Sequence, residues 1–219
     1  MLIRGKKVLT MSENLVSISR LLSNTLYQRL KRLGFRLKKE GIFYKPYDKG
    51  MYLRLGLNEA SKGSKSVTIN PILGVGYLPL EDLLCELTNK KKQPYLFATF
   101  SANIGGFTNQ NVALKFTFQR DAMEQDVEKF VDETATIMEG TISVFNSKYD
   151  VVEGLEIFPP VQQPVERKAL AYYLLANDKQ ADLLIEKELD RVKTQHVIIR
   201  KQFETFVEEF YRYKARKNH

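Results

Sequence analysis

Cysteine, histidine and long apolar runs are scarce in this 219-residue chain, and each scarcity excludes a class of protein. A single cysteine, Cys85, leaves no internal disulfide framework and no multi-cysteine zinc site, and a reducing cytoplasm is the simplest home. Only two histidines are present, His196 and the last residue, His219. Any Ser/His/Asp or Cys/His arrangement would have to be built on His196, and no Gly-x-Ser-x-Gly elbow exists to receive it. No apolar run approaches the roughly 20 residues that cross a bilayer, so no membrane association is expected. Val8-Leu9 is too short for the apolar stretch of a secretory signal. Metal-ligand spacings such as H-E-x-x-H, C-x-x-C and the EF-hand loop are missing. Gly74-Val75-Gly76 lacks the third glycine of a dinucleotide fingerprint, and Gly105-Gly106 lacks the Lys-Ser/Thr of a P-loop. Neither a metal nor a cofactor is expected, and the chain reads as non-catalytic.

What is present is ordinary in bulk and uneven in detail. The residues are 43% hydrophobic and 27% charged, as in soluble globular proteins. The net charge of +8 is asymmetric: residues 1–65 hold 15 Lys/Arg against 4 Asp/Glu, whereas Asp121–Glu156 holds 10 acidic groups against 2 basic ones. A basic front half points either to an anionic partner or to packing beside the acidic segment.

Pattern reading then gives an α+β fold. Residues 1–10 form a possible disordered leader. Ser12 caps a helix with Leu15, Ile18, Leu22, Leu26, Leu30 and Leu33 on one face, stopped by Gly34. A meander of antiparallel strands follows at Phe35–Lys39, Ile42–Tyr47, Met51–Asn58 and Ser66–Tyr77, with Ser61-Lys62-Gly63-Ser64 among its turns. Met51, Leu53, Leu55 and Leu57 alternate with Tyr52, Arg54, Gly56 and Asn58, giving one apolar and one mixed face. Pro71 places the last strand at an edge or a bulge. Gly74 and Gly76 leave room for a close neighbour, for which a helix is the expected occupant. Pro79 opens a short helix that ends at Lys90-Lys91-Lys92.

Strands are expected again at Tyr95–Ala102 and Val112–Phe118, joined by a long polar loop, Asn103–Asn111. Asp121-x-x-Glu124 resembles a capping box for an acidic helix that carries Val127, Phe130, Val131, Thr134, Ile137, Met138 and Phe145. Val151–Pro164 reads as a connector and the best domain boundary, and all beyond it reads helical, with a break near Thr194 left open. The expected architecture is therefore an antiparallel sheet of five or six strands with helices on one face. An α+β domain would span 11–158 and a helical subdomain 159–219.

Candidate sites are surfaces rather than reactive groups. Acidic residues such as Asp126, Glu133 and Glu139 recur on the acidic helix, but they alternate with its apolar stripe as a solvated face does. A protein partner would meet the sheet face and the long loop at Arg36, Lys38, Tyr52, Arg54, Asn103, Phe107 and Asn109, because loops beyond the usual length are enriched in binding roles. The competing class is a nucleic-acid binder that uses Arg36, Lys38, Lys45, Arg54, Lys62, Lys65, Lys90, Lys91 and Lys92, with Tyr44, Tyr47 and Tyr52 nearby for stacking.

Leu30-x-x-Leu33-Gly34-Phe35-x-x-Lys38, then Phe43-Tyr44, then Val67-Thr68-Ile69-Asn70, resembles a widespread bacterial family of unassigned function. Its members begin with a helix and a turn into strand of the form LGF-x-x-K…FY. The resemblance covers residues 15–75, and the chain departs from it in its long helical tail. Some members are suspected immunity or defence proteins encoded beside toxins, so the resemblance implies a role in toxin immunity or phage defence through a bound protein. It carries over no catalytic residue, since the matched positions are a helix stop, core aromatics and a strand.

Overall fold

The computed structural model describes residues 11–47, 50–62, 66–107, 112–119, 122, 124–148, 151–157 and 164–217. The possible leader (1–10), Lys65, Asn109, Asp121 of the expected capping box and Pro159-Pro160 lie outside them. The fold is α+β, with a five-stranded antiparallel sheet and a separate three-stranded one. The strands are β1 (Arg36–Lys39), β2 (Ile42–Pro46), β3 (Met51–Gly56), β4 (Glu59–Lys62), β5 (Ser66–Ile69), β6 (Ile72–Tyr77), β7 (Phe100–Asn103) and β8 (Phe116–Gln119). Their order is β1-β2-β3-β6-β7 in the larger sheet and β4-β5-β8 in the smaller. The helices are α1 (Met11–Arg32), α2 (Leu78–Leu87), α3 (Glu124–Lys148), α4 (Val151–Ile157), α5 (Pro164–Leu174), α6 (Asp178–Val192) and α7 (Val197–Lys217).

The chain forms two compact units that interleave along the sequence: 1–45 with 55–73 and 102–147, and 46–54 with 74–101 and 148–219. The division does not fall at residue 159, and the C-terminal helices share their unit with α2.

In the first unit Leu22, Leu26 and Leu30 of α1 are fully buried, as their spacing requires. Gly34 ends the helix at φ +85°, with the Phe35 N–H bonded to the Leu30 carbonyl (3.1 Å) and the Gly34 N–H to that of Lys31 (3.0 Å). This is a Schellman stop, and Leu30 and Phe35, the two positions whose apolar side chains usually accompany it, are both buried. Pro71 does more than make an edge or a bulge. It splits the expected strand Ser66–Tyr77 in two, and the halves join different sheets. β5 pairs with β4 in register Glu59↔Ile69 through Lys62↔Ser66, so Ser61 and Lys62 belong to a strand where a turn was expected. β8 begins only at Phe116, and Val112–Lys115 stands outside the ladder. On α3, Val127, Phe130, Val131, Thr134 and Met138 are buried as expected, and the helix runs on through Gly140.

In the second unit, Tyr52 and Leu53 are both buried although successive strand residues point to opposite faces. The face expected to be mixed is therefore covered too. The expected strand at Tyr95 starts only at Phe100. Val151–Ile157 is a helix, not connector. Asn177 caps α6 by accepting from the Gln180 N–H (3.3 Å), and a break does separate α6 from α7 around Thr194. Phe203, Phe206, Val207 and Phe210 form the buried stripe of α7, with Phe206 stacked on Phe210. His196 is exposed, and its Nδ1 accepts the Ile198 N–H (3.3 Å) at the start of α7.

Candidate binding loop

The segment from Lys90 to Thr99 follows α2 and gathers more of the expected site residues than any other. Leu80, Leu83, Leu84 and Leu87 bury one face of α2, and its end is shaped by Asn89 at φ +50°. The Lys90 N–H reaches the Cys85 carbonyl (2.8 Å) and the Asn89 N–H that of Glu86 (3.2 Å), so asparagine takes the place usually held by glycine. The chain therefore leaves the helix in a fixed direction with Lys90, Lys91 and Lys92 all exposed. Lys92 reaches Asp82 at 3.3 Å, a solvated pair worth at most about 1 kcal/mol.

Beyond Pro94 the loop is clamped. Tyr95 adopts φ +66°, a left-handed conformation that costs a non-glycine residue about 1–2 kcal/mol. Its ring stands edge-on to that of Tyr52 (5.1 Å, 82°). The buried Tyr52 hydroxyl donates to the Phe97 carbonyl, and Arg54 Nε donates to the Leu96 carbonyl at 2.6 Å. The Thr99 N–H bonds the Val75 carbonyl (2.7 Å), and Thr99 Oγ1 accepts the Tyr77 N–H (2.9 Å). What lies close to the two glycines is this assembly rather than a helix. A Cβ on Gly76 would fall inside the Tyr52 ring, and one on Gly74 would sit 2.6 Å from the Ala98 Cβ and the Phe100 carbonyl oxygen. With its backbone fixed on both sides, Phe97 leaves 54% of its surface exposed.

Burial raises the Tyr52 hydroxyl well above the ordinary tyrosine range, and the Glu81 charge adds to the shift. It also lowers Arg54 and raises the Cys85 thiol, the latter reinforced by Glu81 and Asp82. The raised Tyr52 hydroxyl keeps its proton at neutral pH and so stays a donor to the Phe97 carbonyl. Glu81 meets Arg167 of α5 through two parallel bonds (Nε–Oε1 3.0 Å, Nη2–Oε2 3.1 Å), both side chains nearly buried. That pair ties α2, and hence the root of the loop, to the C-terminal helices.

The other expected residues are scattered. Arg36 and Lys38 are exposed on β1, an edge strand with an irregular register between Leu37 and Lys39. Tyr52 and Arg54 are corrected from partner contacts to supports of the loop. Asn103 is also corrected. Its Nδ2 donates to Asn70 Oδ1 (2.6 Å) and the Leu114 carbonyl (2.9 Å), and its Oδ1 accepts from the Gly105 N–H (2.9 Å) and the Leu114 N–H (2.7 Å). Four such bonds consume the amide in holding its own loop. Phe107 closes a 3-10 turn, Ile104–Phe107, and Lys62 lies in β4. The Lys45 side chain lies over Gly34, whose Cβ would meet its Cε at 3.5 Å. The basic front half does pair with the acidic helix, Arg29 meeting Asp132 at 2.6 Å.

Sequence reasoning missed Tyr95 and Phe97 by placing them in a strand. The available signal was Gln93-Pro94 followed by the unbroken apolar run Tyr95-Leu96-Phe97, which does not alternate as a half-buried strand should. No family model, curated protein or solved structure matches the chain. Among the described residues no helix is long and apolar enough to cross a membrane.

Proposed function

We propose that this is a non-catalytic binding protein that engages a protein partner through the loop Lys90–Phe97. The observation that supports this reading most is the exposed Phe97 on a backbone clamped by Tyr52 and Arg54, following three exposed lysines. A loop already fixed loses little conformational freedom on binding, so more of its contact energy appears as affinity. The partner surface that complements it is acidic, with an apolar socket for one aromatic ring. Toxin immunity and phage defence are the settings that the resemblance of residues 15–75 implies for such a partner. Nucleic acid is the second reading, favoured by the exposure of Arg36 and Lys38 in the first unit and of Lys90–Lys92 in the second.

The test uses the full chain as bait in an extract of its native host, alongside Phe97→Ser and the triple variant Lys90→Glu/Lys91→Glu/Lys92→Glu. A protein retained by the wild type, resistant to nuclease and lost from both folded variants is the expected result. Equal retention by the variants overturns the loop assignment. Retention of nucleic acid alone, with steep loss as salt rises, supports the second reading instead.

A further inference from the structure

We infer that the cleft between the end of α2 and one face of α7 binds a small zwitterion with an apolar body, a free amino acid or a short peptide, whose ammonium meets Glu166 and whose carboxylate meets Lys90 and Lys201. The cleft measures about 920 Å³, and its lining belongs to the second unit. Sites for small ligands run from about 300 to 1,000 Å³. The inference reaches beyond the partner-binding reading and shares only Lys90 with its loop.

One wall is the run from Glu86 to Lys90, where Asn89 turns the chain out of α2. The second is a helix stripe: Gln202, Phe206 and Glu209 follow at steps of four and three, with Lys201 and Thr205 beside them. Glu166, in the first turn of α5, completes the lining. Leu87 and Phe206, both almost fully buried, supply its apolar surface.

Much of the polar lining is already engaged. Glu86 meets Arg216 at 3.9 Å and Glu209 meets Arg212. The Thr88 and Thr205 hydroxyls donate to the carbonyls of Leu84 (2.6 Å) and Lys201 (2.9 Å). Three charges are left over. Among the described residues neither Glu166, Lys90 nor Lys201 forms an ion pair. The guanidinium groups near Glu166 have other carboxylates, Arg167 that of Glu81 and Arg191 that of Glu188. Lys90 acts on Glu166 through its charge without touching it. Burial, with Glu188 adding to it, holds the Glu166 carboxyl above its ordinary value in spite of that attraction.

A carboxylate kept where burial disfavours its charge, with lysines on the other walls and out of reach, is an arrangement that a charged ligand completes. A purely anionic ligand would meet Glu166, and a purely cationic one the two lysines. A molecule that carries both charges suits all three groups, and its apolar part then lies over Leu87 and Phe206.

Titration calorimetry of the full chain tests this with L-phenylalanine and the dipeptide Leu-Phe, each also in an N-acetylated and a C-terminally amidated form that lacks one charge. Saturable binding of phenylalanine or the dipeptide is expected, weakened at least about tenfold by removal of either charge. Tighter binding of the dipeptide assigns the cleft to peptides, and tighter binding of phenylalanine assigns it to free amino acids. Glu166→Gln should lose at least about tenfold in affinity while its melting temperature at pH 7 stays no lower than that of the wild type. Lys201→Gln, an exposed change outside the lysine loop, should weaken the ligand and leave capture of a protein partner unaltered, which separates the two readings. No saturable binding up to the solubility limit, indifference to either lost charge, or unchanged affinity in Glu166→Gln or Lys201→Gln overturns the proposal.

Discussion

Replacing Gly76 by alanine is the sharpest perturbation of the clamp. The new methyl would occupy the volume of the Tyr52 ring, nearest to its Cζ and Cε1, so the ring must leave the Phe97 carbonyl. Overpacking of this kind costs about 1–3 kcal/mol, and orphaning a buried polar group about 1–3 more. The combined loss is about 2–6 kcal/mol, a large part of the roughly 5–15 kcal/mol that folded domains possess. Urea unfolding followed by circular dichroism gives the total. Hydrogen exchange at Thr99, whose amide bonds the Val75 carbonyl, reports whether the loop is released locally. In a Tyr52→Leu background the ring is gone, and Gly76→Ala should then cost less than about 1 kcal/mol, a strongly non-additive cycle. An additive cycle, or a single-variant cost below about 1 kcal/mol, would refute the packing argument.

Two further outcomes follow from the second unit. Glu81→Gln leaves the nearly buried Arg167 guanidinium without its carboxylate and should cost about 3–5 kcal/mol, whereas Glu81→Leu/Arg167→Met should be the more stable of the two in urea. If the double variant is the less stable, the pair contributes more than its desolvation cost. Burial raises the Glu166 carboxyl above its ordinary value of 4.5, with nearby Glu188 adding to the shift. An acid whose folded pKa is raised favours the native state while protonated, so stability falls as pH climbs from about 4.5 through the raised value. Glu166→Gln should remove that fall and exceed the wild type at pH 7 but not at pH 4, as read from melting temperatures at the two pH values.

The sequence by itself determined the local elements whose cause is local. Leu22, Leu26 and Leu30 recur at helical spacing, and Gly34 supplies the left-handed residue that a Schellman stop requires. The stripes of α3 and α7 and the α+β class were legible for the same reason: period and punctuation are written in neighbouring residues. Tertiary structure decided everything that depends on which residue lies opposite which. Alternation marked Tyr52 and Arg54 as half-exposed, but the return of Tyr95–Thr99 over that face buried one and engaged the other. Asn103 looked free because a polar loop residue carries no mark of the carbonyl and N–H of Leu114 that it will meet. Pro71 announced a break, yet not that its two sides would enter different sheets. Strand pairing joins residues far apart in the chain, and its partners are chosen by the burial of the whole core rather than by any local pattern.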